Sequence, residues 1–151
     1  MRIRQEIVDF FEKQDTVIVS TIDPLGRIHC SIKGIIGIRH SAKLLLIDLY
    51  CYHTFANLKK NPKISITAVD ERLFKGYTLQ GHAEIIPRDK MHEKTFQEWE
   101  TRVVRRISKR VIESVKLGLK SKSHHEAQLP VHPKYLISVT IKNVVGLIPL
   151  S

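Results

Sequence analysis

Cysteine is nearly missing from this sequence. Cys30 and Cys51 are the only two, too few for a disulfide framework and too isolated for a cysteine-based zinc site. Seven Gly and six Pro exclude collagen-like and linker-like chains. Acid is short: 15 Asp+Glu stand against 25 Lys+Arg, a formal charge of +10. Such a balance calls for an anionic partner or an uneven charge layout. No uncharged apolar run reaches the roughly 18–20 residues that span a bilayer. The run Leu44–Leu49 is short and carries Asp48, and Glu6, Asp9, Glu12 and Asp15 interrupt any secretory core after the basic start. The expectation is a cytoplasmic protein with no membrane span.

What is present is enough for one core. The 151 residues, 42% apolar, suit a single domain over 1–151. Ile3, Ile7, Val8, Phe10 and Phe11 give 2–13 helical spacing. The period then shortens. Thr16–Ile22 is β-branched, Asp23-Pro24-Leu25-Gly26 is a hairpin bend, and 27–38 alternates. Ile28, Cys30, Ile32, Gly34, Ile36 and Ile38 fall on one face, and His29, Ser31 and Lys33 on the other.

Further strands are predicted at 43–49, 64–69, 77–86 and 135–148, with a short helix at 54–60 closed by Asn61-Pro62. Residues 88–128 read as an insertion, a long helix followed by a polar loop. Trp99, Val103, Ile107, Val111 and Val115 repeat every fourth residue there, which predicts a core-facing stripe. Eight Lys/Arg against Glu113 over 102–122 localise the basicity. The order predicts a mainly β fold with flanking α: a six-stranded antiparallel barrel with an N-terminal helix, a short helix and a long basic helix.

Two stretches could carry chemistry. The stripe His29, Ser31, Lys33 reads as an ordinary solvated strand face or as a wall facing an anion or a flavin. In the second, a strand feeds a helix at His53-Thr54. Thr54 suits an N-cap, and free N–H groups there can meet a phosphate, as can His53 when protonated. The alternative is a plain capped helix. His124, His125 and His132 lack acidic or cysteine partners at metal spacing, so no metal site is expected.

Together, 17–22, Asp23-Pro24-Leu25-Gly26, Arg27-Ile28-His29-Cys30-Ser31, Asn57-Leu58-Lys59-Lys60-Asn61-Pro62 and Gln80-Gly81-His82-Ala83-Glu84-Ile85-Ile86 resemble the pyridoxamine 5'-phosphate oxidase-like, FMN-binding split-barrel superfamily. The resemblance covers about residues 5–86 and the closing strand. It implies a split-barrel homodimer with FMN at the subunit interface. Carried over by position, the cofactor-binding residues are His29, Ser31, Lys33, His53, Thr54, Asn57 and Gln80, with Lys33 touching the flavin. His53 replaces a permanent cation of the oxidase branch, and the Arg-x-His substrate motif is missing, so oxidation of pyridoxamine phosphate is not expected.

The function this implies is a flavin-dependent oxidoreductase that takes electrons from NAD(P)H or a redox protein. The alternatives are a non-catalytic flavin- or haem-binding electron carrier, and a nucleic-acid or anionic-surface binder using 102–122. The last is less favoured, because the cations form no clean stripe and no aromatic stacking platform accompanies them.

Overall fold

The structure is a computed structural model, and it describes residues 1–48, 52–118 and 135–148. Its frame is six strands: β1 (Thr16–Ile22), β2 (Ile28–Arg39), β3 (Lys43–Asp48), β4 (Lys63–Asp70), β5 (Lys75–Pro87) and β6 (Tyr135–Gly146). They close into a barrel in the order β1-β2-β3-β6-β5-β4. Every pairing is antiparallel. The closed barrel leaves no sheet edge to protect. The predicted strands all form, and their ends move by one or two residues.

Turn chemistry sets the first hairpin. The Gly26 N–H donates to the Asp23 carbonyl at 2.9 Å, and Gly26 takes φ +79°, which glycine adopts without a Cβ clash. The Asp23 carboxylate accepts from the Leu25 and Arg27 N–H groups and pairs with the Arg27 guanidinium. These bonds, led by those from Arg27, hold the Asp23 carboxyl below its ordinary pKa.

Among the described residues, three α-helices flank the barrel. The face of α1 (Gln5–Glu12) buries Ile7, Val8, Phe10 and Phe11 in one core with Val19, Leu44, Leu46, Ile66, Leu79, Ile137 and Val139. Phe10 meets Phe11 and Tyr77 edge-on. The second helix, α2 (His53–Lys60), adds Leu58 to that core. After a 3₁₀ turn at Arg88–Lys90 comes α3 (Glu93–Lys116), 24 residues long. The expected loop after it, with its histidines, lies outside the described residues.

Two patterns depart from expectation. The register opposes Thr21 to His29, Val19 to Ser31 and Val17 to Lys33. Directly opposed residues share a face, and Val17, Val19 and Thr21 are buried. The polar stripe of β2 is therefore the inward, half-buried one, and the apolar stripe points out, with Ile28 at 76% and Ile32 at 72% exposed. A β-bulge between Ile35 and Gly37 then shifts the alternation. Beyond it Ile38 faces the core with Ile35, while Ile36 joins Ile47, Leu136 and Phe96 in a second cluster under α3.

The second departure is in α3. Its apolar stripe is not a core face at its C-terminal end, because Val104, Ile112, Val115 and Leu117 are exposed. The side chains of Trp99, Val103 and Ile107 lie outside the described residues. Phe96 anchors the first turns instead, with the Arg88 guanidinium 3.8 Å from its ring centroid.

Candidate functional site

Helix α2 lies over the polar stripe of β2. Ser31 Oγ and Thr54 Oγ1 lie 2.9 Å apart and hydrogen bond. One turn along α2, Asn57 Nδ2 donates to Thr21 Oγ1 at 3.0 Å, and both residues are buried. These two bonds tie α2 to the first hairpin. The imidazoles of His29 and His53 stand at the rim, with ring centroids 5.0 Å apart. His53 is exposed and His29 half-buried.

The helix starts one residue earlier than expected. Its N-cap is Tyr52, which makes no side-chain capping bond. Thr54 lies inside the first turn, and its hydroxyl bonds sideways to Ser31 of β2. Ala56 donates to the Tyr52 carbonyl at 3.1 Å. The N–H groups before it, on 53, 54 and 55, have no intrahelical acceptor and carry the positive end of the helix dipole.

Below this cluster lies a buried ionic layer. Lys33 Nζ donates to Asp48 Oδ1 at 2.9 Å, and the Tyr135 hydroxyl donates to Asp48 Oδ2 at 2.7 Å. The Asp48 side chain is fully buried and that of Lys33 is 11% exposed. Phe55 of α2 stacks over the Tyr135 ring at 4.6 Å. Lys33 is thus directed at Asp48 and acts as a strut under the floor.

The structure brings His29, Ser31, His53, Thr54 and Asn57 together, with Lys33 one layer deeper. Gln80 stands apart. It accepts from Asn143 Nδ2 at 2.9 Å and lines a cavity of about 430 Å³ with Lys63, His82, Lys142 and, from the cluster, Thr21. Sequence reasoning missed Asp48, Tyr135 and Thr21 as members of the site. One signal was available: a lone carboxylate inside an apolar strand must find a partner when it is buried. Among the described residues, no group of three or more His, Cys, Asp or Glu could hold a metal, and no helix is long and apolar enough to cross a membrane.

This arrangement can receive an anion at the start of α2, against two imidazoles. The comparisons agree with the barrel around it. The protein HupZ from Group A Streptococcus is 20% identical, covering 96% of this chain and 94% of its own, with a TM-score of 0.64. An FMN-binding protein from Syntrophomonas wolfei is 11% identical over 97% of this chain and 90% of its own, TM-score 0.66. HutZ, the haem storage protein of Vibrio cholerae, is 18% identical over 96% and 94%, TM-score 0.57. No curated protein matches the chain by sequence. The family profile described as pyridoxamine 5'-phosphate oxidase matches residues 3–139. With that span and this barrel, the chain belongs to the pyridoxamine 5'-phosphate oxidase-like, FMN-binding split-barrel family.

Proposed function

We propose that this protein binds FMN and acts as a cytoplasmic flavin-dependent oxidoreductase, reduced by NAD(P)H or by a redox protein. The observation that carries the reading is the start of α2: first-turn N–H groups without an intrahelical acceptor beside His29 and His53, seated on the Ser31–Thr54 bond. A phosphate monoester fits that donor set. His29 and His53 would hold the phosphate, and Asn57 keeps the helix in place through Thr21. Lys33 supports the floor through its ion pair with Asp48. Gln80, on the outer side of β5, would reach a flavin only from a second subunit. FMN, when bound, supplies the hydride and electron chemistry, and the chain sets orientation and access.

A homodimer is part of the reading. Proteins of this family are typically dimers. Here Ile18, Ile28 and Ile32 form an exposed apolar face on β1 and β2, next to the cluster. Such a patch on a small domain marks an interface. Haem is the second reading, favoured by the two adjacent imidazoles and the likeness to HutZ.

The test is the double variant His53→Ala with Thr54→Val, titrated with FMN and with riboflavin. Loss of FMN affinity by about tenfold or more, with riboflavin little changed, supports the phosphate placement, since one charge-assisted contact is worth about that much. Equal weakening of both ligands removes it. A Soret band after haem addition, with no flavin uptake, would favour the second reading.

A further inference from the structure

A large cavity lies away from this cluster. It runs between α3 and the outer side of β2, β3 and β6 and encloses about 980 Å³. Its floor is apolar: Ile36 and Leu136 are buried, and Leu45, Ile86 and Met91 are half-buried against them. Its rim is cationic. Six Lys/Arg and two Glu line it. One of those carboxylates, Glu12, is already occupied, accepting from Arg102 at 2.7 Å and from the Ile38 N–H at 3.0 Å. Lys43 donates to Thr140 Oγ1. Arg39, Lys90 and Lys94 have no carboxylate partner among the described residues.

We propose that this groove is a second binding site, for a small organic anion with an apolar body, of the fatty-carboxylate type. The chemistry comes from the pairing of floor and rim. Positive charge on both edges, Arg39 and Lys43 on the strand side and Lys90 and Lys94 on the helix side, attracts an anion. The apolar floor rewards only a ligand that also buries hydrocarbon. A polymer of phosphates would touch the rim and leave the floor wet. A neutral apolar molecule would leave the rim cations unused. The volume is of the size that holds a small molecule. Glu98 also lines the groove, and its carboxylate would attract a cationic head group, but Arg39, Lys43, Lys90 and Lys94 outnumber it there.

The full chain is titrated calorimetrically with dodecanoate, dodecanol and dodecyltrimethylammonium, the two ionic chains below their micelle concentrations and the alcohol below its solubility limit. The expected result is one dodecanoate per chain, bound about tenfold or more tightly than the neutral and cationic chains, the scale of one charge-assisted contact. Lys90→Gln with Lys94→Gln, both exposed, should weaken dodecanoate about tenfold and leave dodecanol unchanged. Leu45→Gln should weaken all three. Equal affinity for the three head groups, or no effect of the double lysine variant, would overturn the proposal. So would competition by saturating FMN, which would place the ligand at α2. A last arm uses phosphatidylglycerol vesicles: retention on vesicles without uptake of free dodecanoate would assign the cations to a surface and not to this groove.

Discussion

At the scale of single residues, burial decides which side chains matter. Asp48 has no exposed surface and bridges Lys33 and Tyr135. Asp48→Ala leaves the Lys33 ammonium buried without its partner, a change that costs about 3–5 kcal/mol. Asp48→Asn keeps an acceptor for Tyr135 and should cost less, and urea unfolding of the two variants checks the order. Gly81 sits where β5 is irregular against β6, and a Cβ there would come within 2.0 Å of the Thr140 carbonyl oxygen. Gly81→Ala must therefore move backbone, and it should lower Tm clearly. Phe74 shows the reverse case. It is 78% exposed and holds φ +47°. Phe74→Gly should stabilise by about 0.5–1 kcal/mol, because left-handed backbone strain outweighs the entropy that glycine adds to the unfolded chain. A fall in Tm would count against that. Asp48 left a trace in the sequence, as a charge in an apolar run, and Lys33 stood in the polar stripe. A buried partner 87 positions away, like Tyr135, leaves none.

At the scale of elements, period and turn chemistry carried most of the information. Thr16–Ile22 and the Asp23–Gly26 bend were legible because alternation and turn residues are local. The inside and outside of β2 were not. Both of its stripes read plausibly, and the choice depends on α2 arriving from later in the chain to cover the polar one. The bulge at Ile35/Gly37 was also hidden, since Ile36 and Ile38 continue the same apparent stripe.

The basic helix has a partner of its own. Arg102 meets Glu12, and Lys109 meets Asp15 at 3.3 Å, with Arg105 nearby at 3.8 Å. These pairs dock α3 against the end of α1, which accounts for part of the charge read as an anion-binding stretch. Partly exposed pairs of this kind are worth about 0–1 kcal/mol each. Glu12→Gln, which keeps the Ile38 N–H bond, should therefore cost less than Glu12→Ala, as thermal unfolding at low salt would show. The Asp23 turn responds to acid. Its folded pKa is lowered, so its contribution is present above the ordinary carboxylate range and is lost as pH falls through the folded value. Faster amide exchange at Leu25 and Arg27 as the pH is lowered below 4, after correction for intrinsic rates, would show it; unchanged protection would not fit.

At the scale of the whole molecule, exposed isoleucines and a half-buried polar cluster occupy opposite faces of the same strand. A soluble monomer gains nothing from Ile28 and Ile32 in water. Pairing of two subunits through β1 and β2 would cover them and bring a second chain to the rim of the cluster. Sedimentation should give a dimer, and Ile28→Lys with Ile32→Lys should give a folded monomer; a wild-type monomer would contradict the reading. The barrel itself was readable in outline from strand count, short turns and family motifs. The position of the ionic floor, the separation of Gln80 from the other candidates and the groove beneath α3 were not, since each depends on contacts between distant segments.

The most direct test is a comparative titration of the intact protein with FMN and riboflavin, which differ only by the phosphate. The expected result is one FMN per subunit, bound about tenfold or more tightly than riboflavin, the least that one charge-assisted phosphate contact provides. Equal affinity for the two flavins, or no uptake of either, would contradict the account.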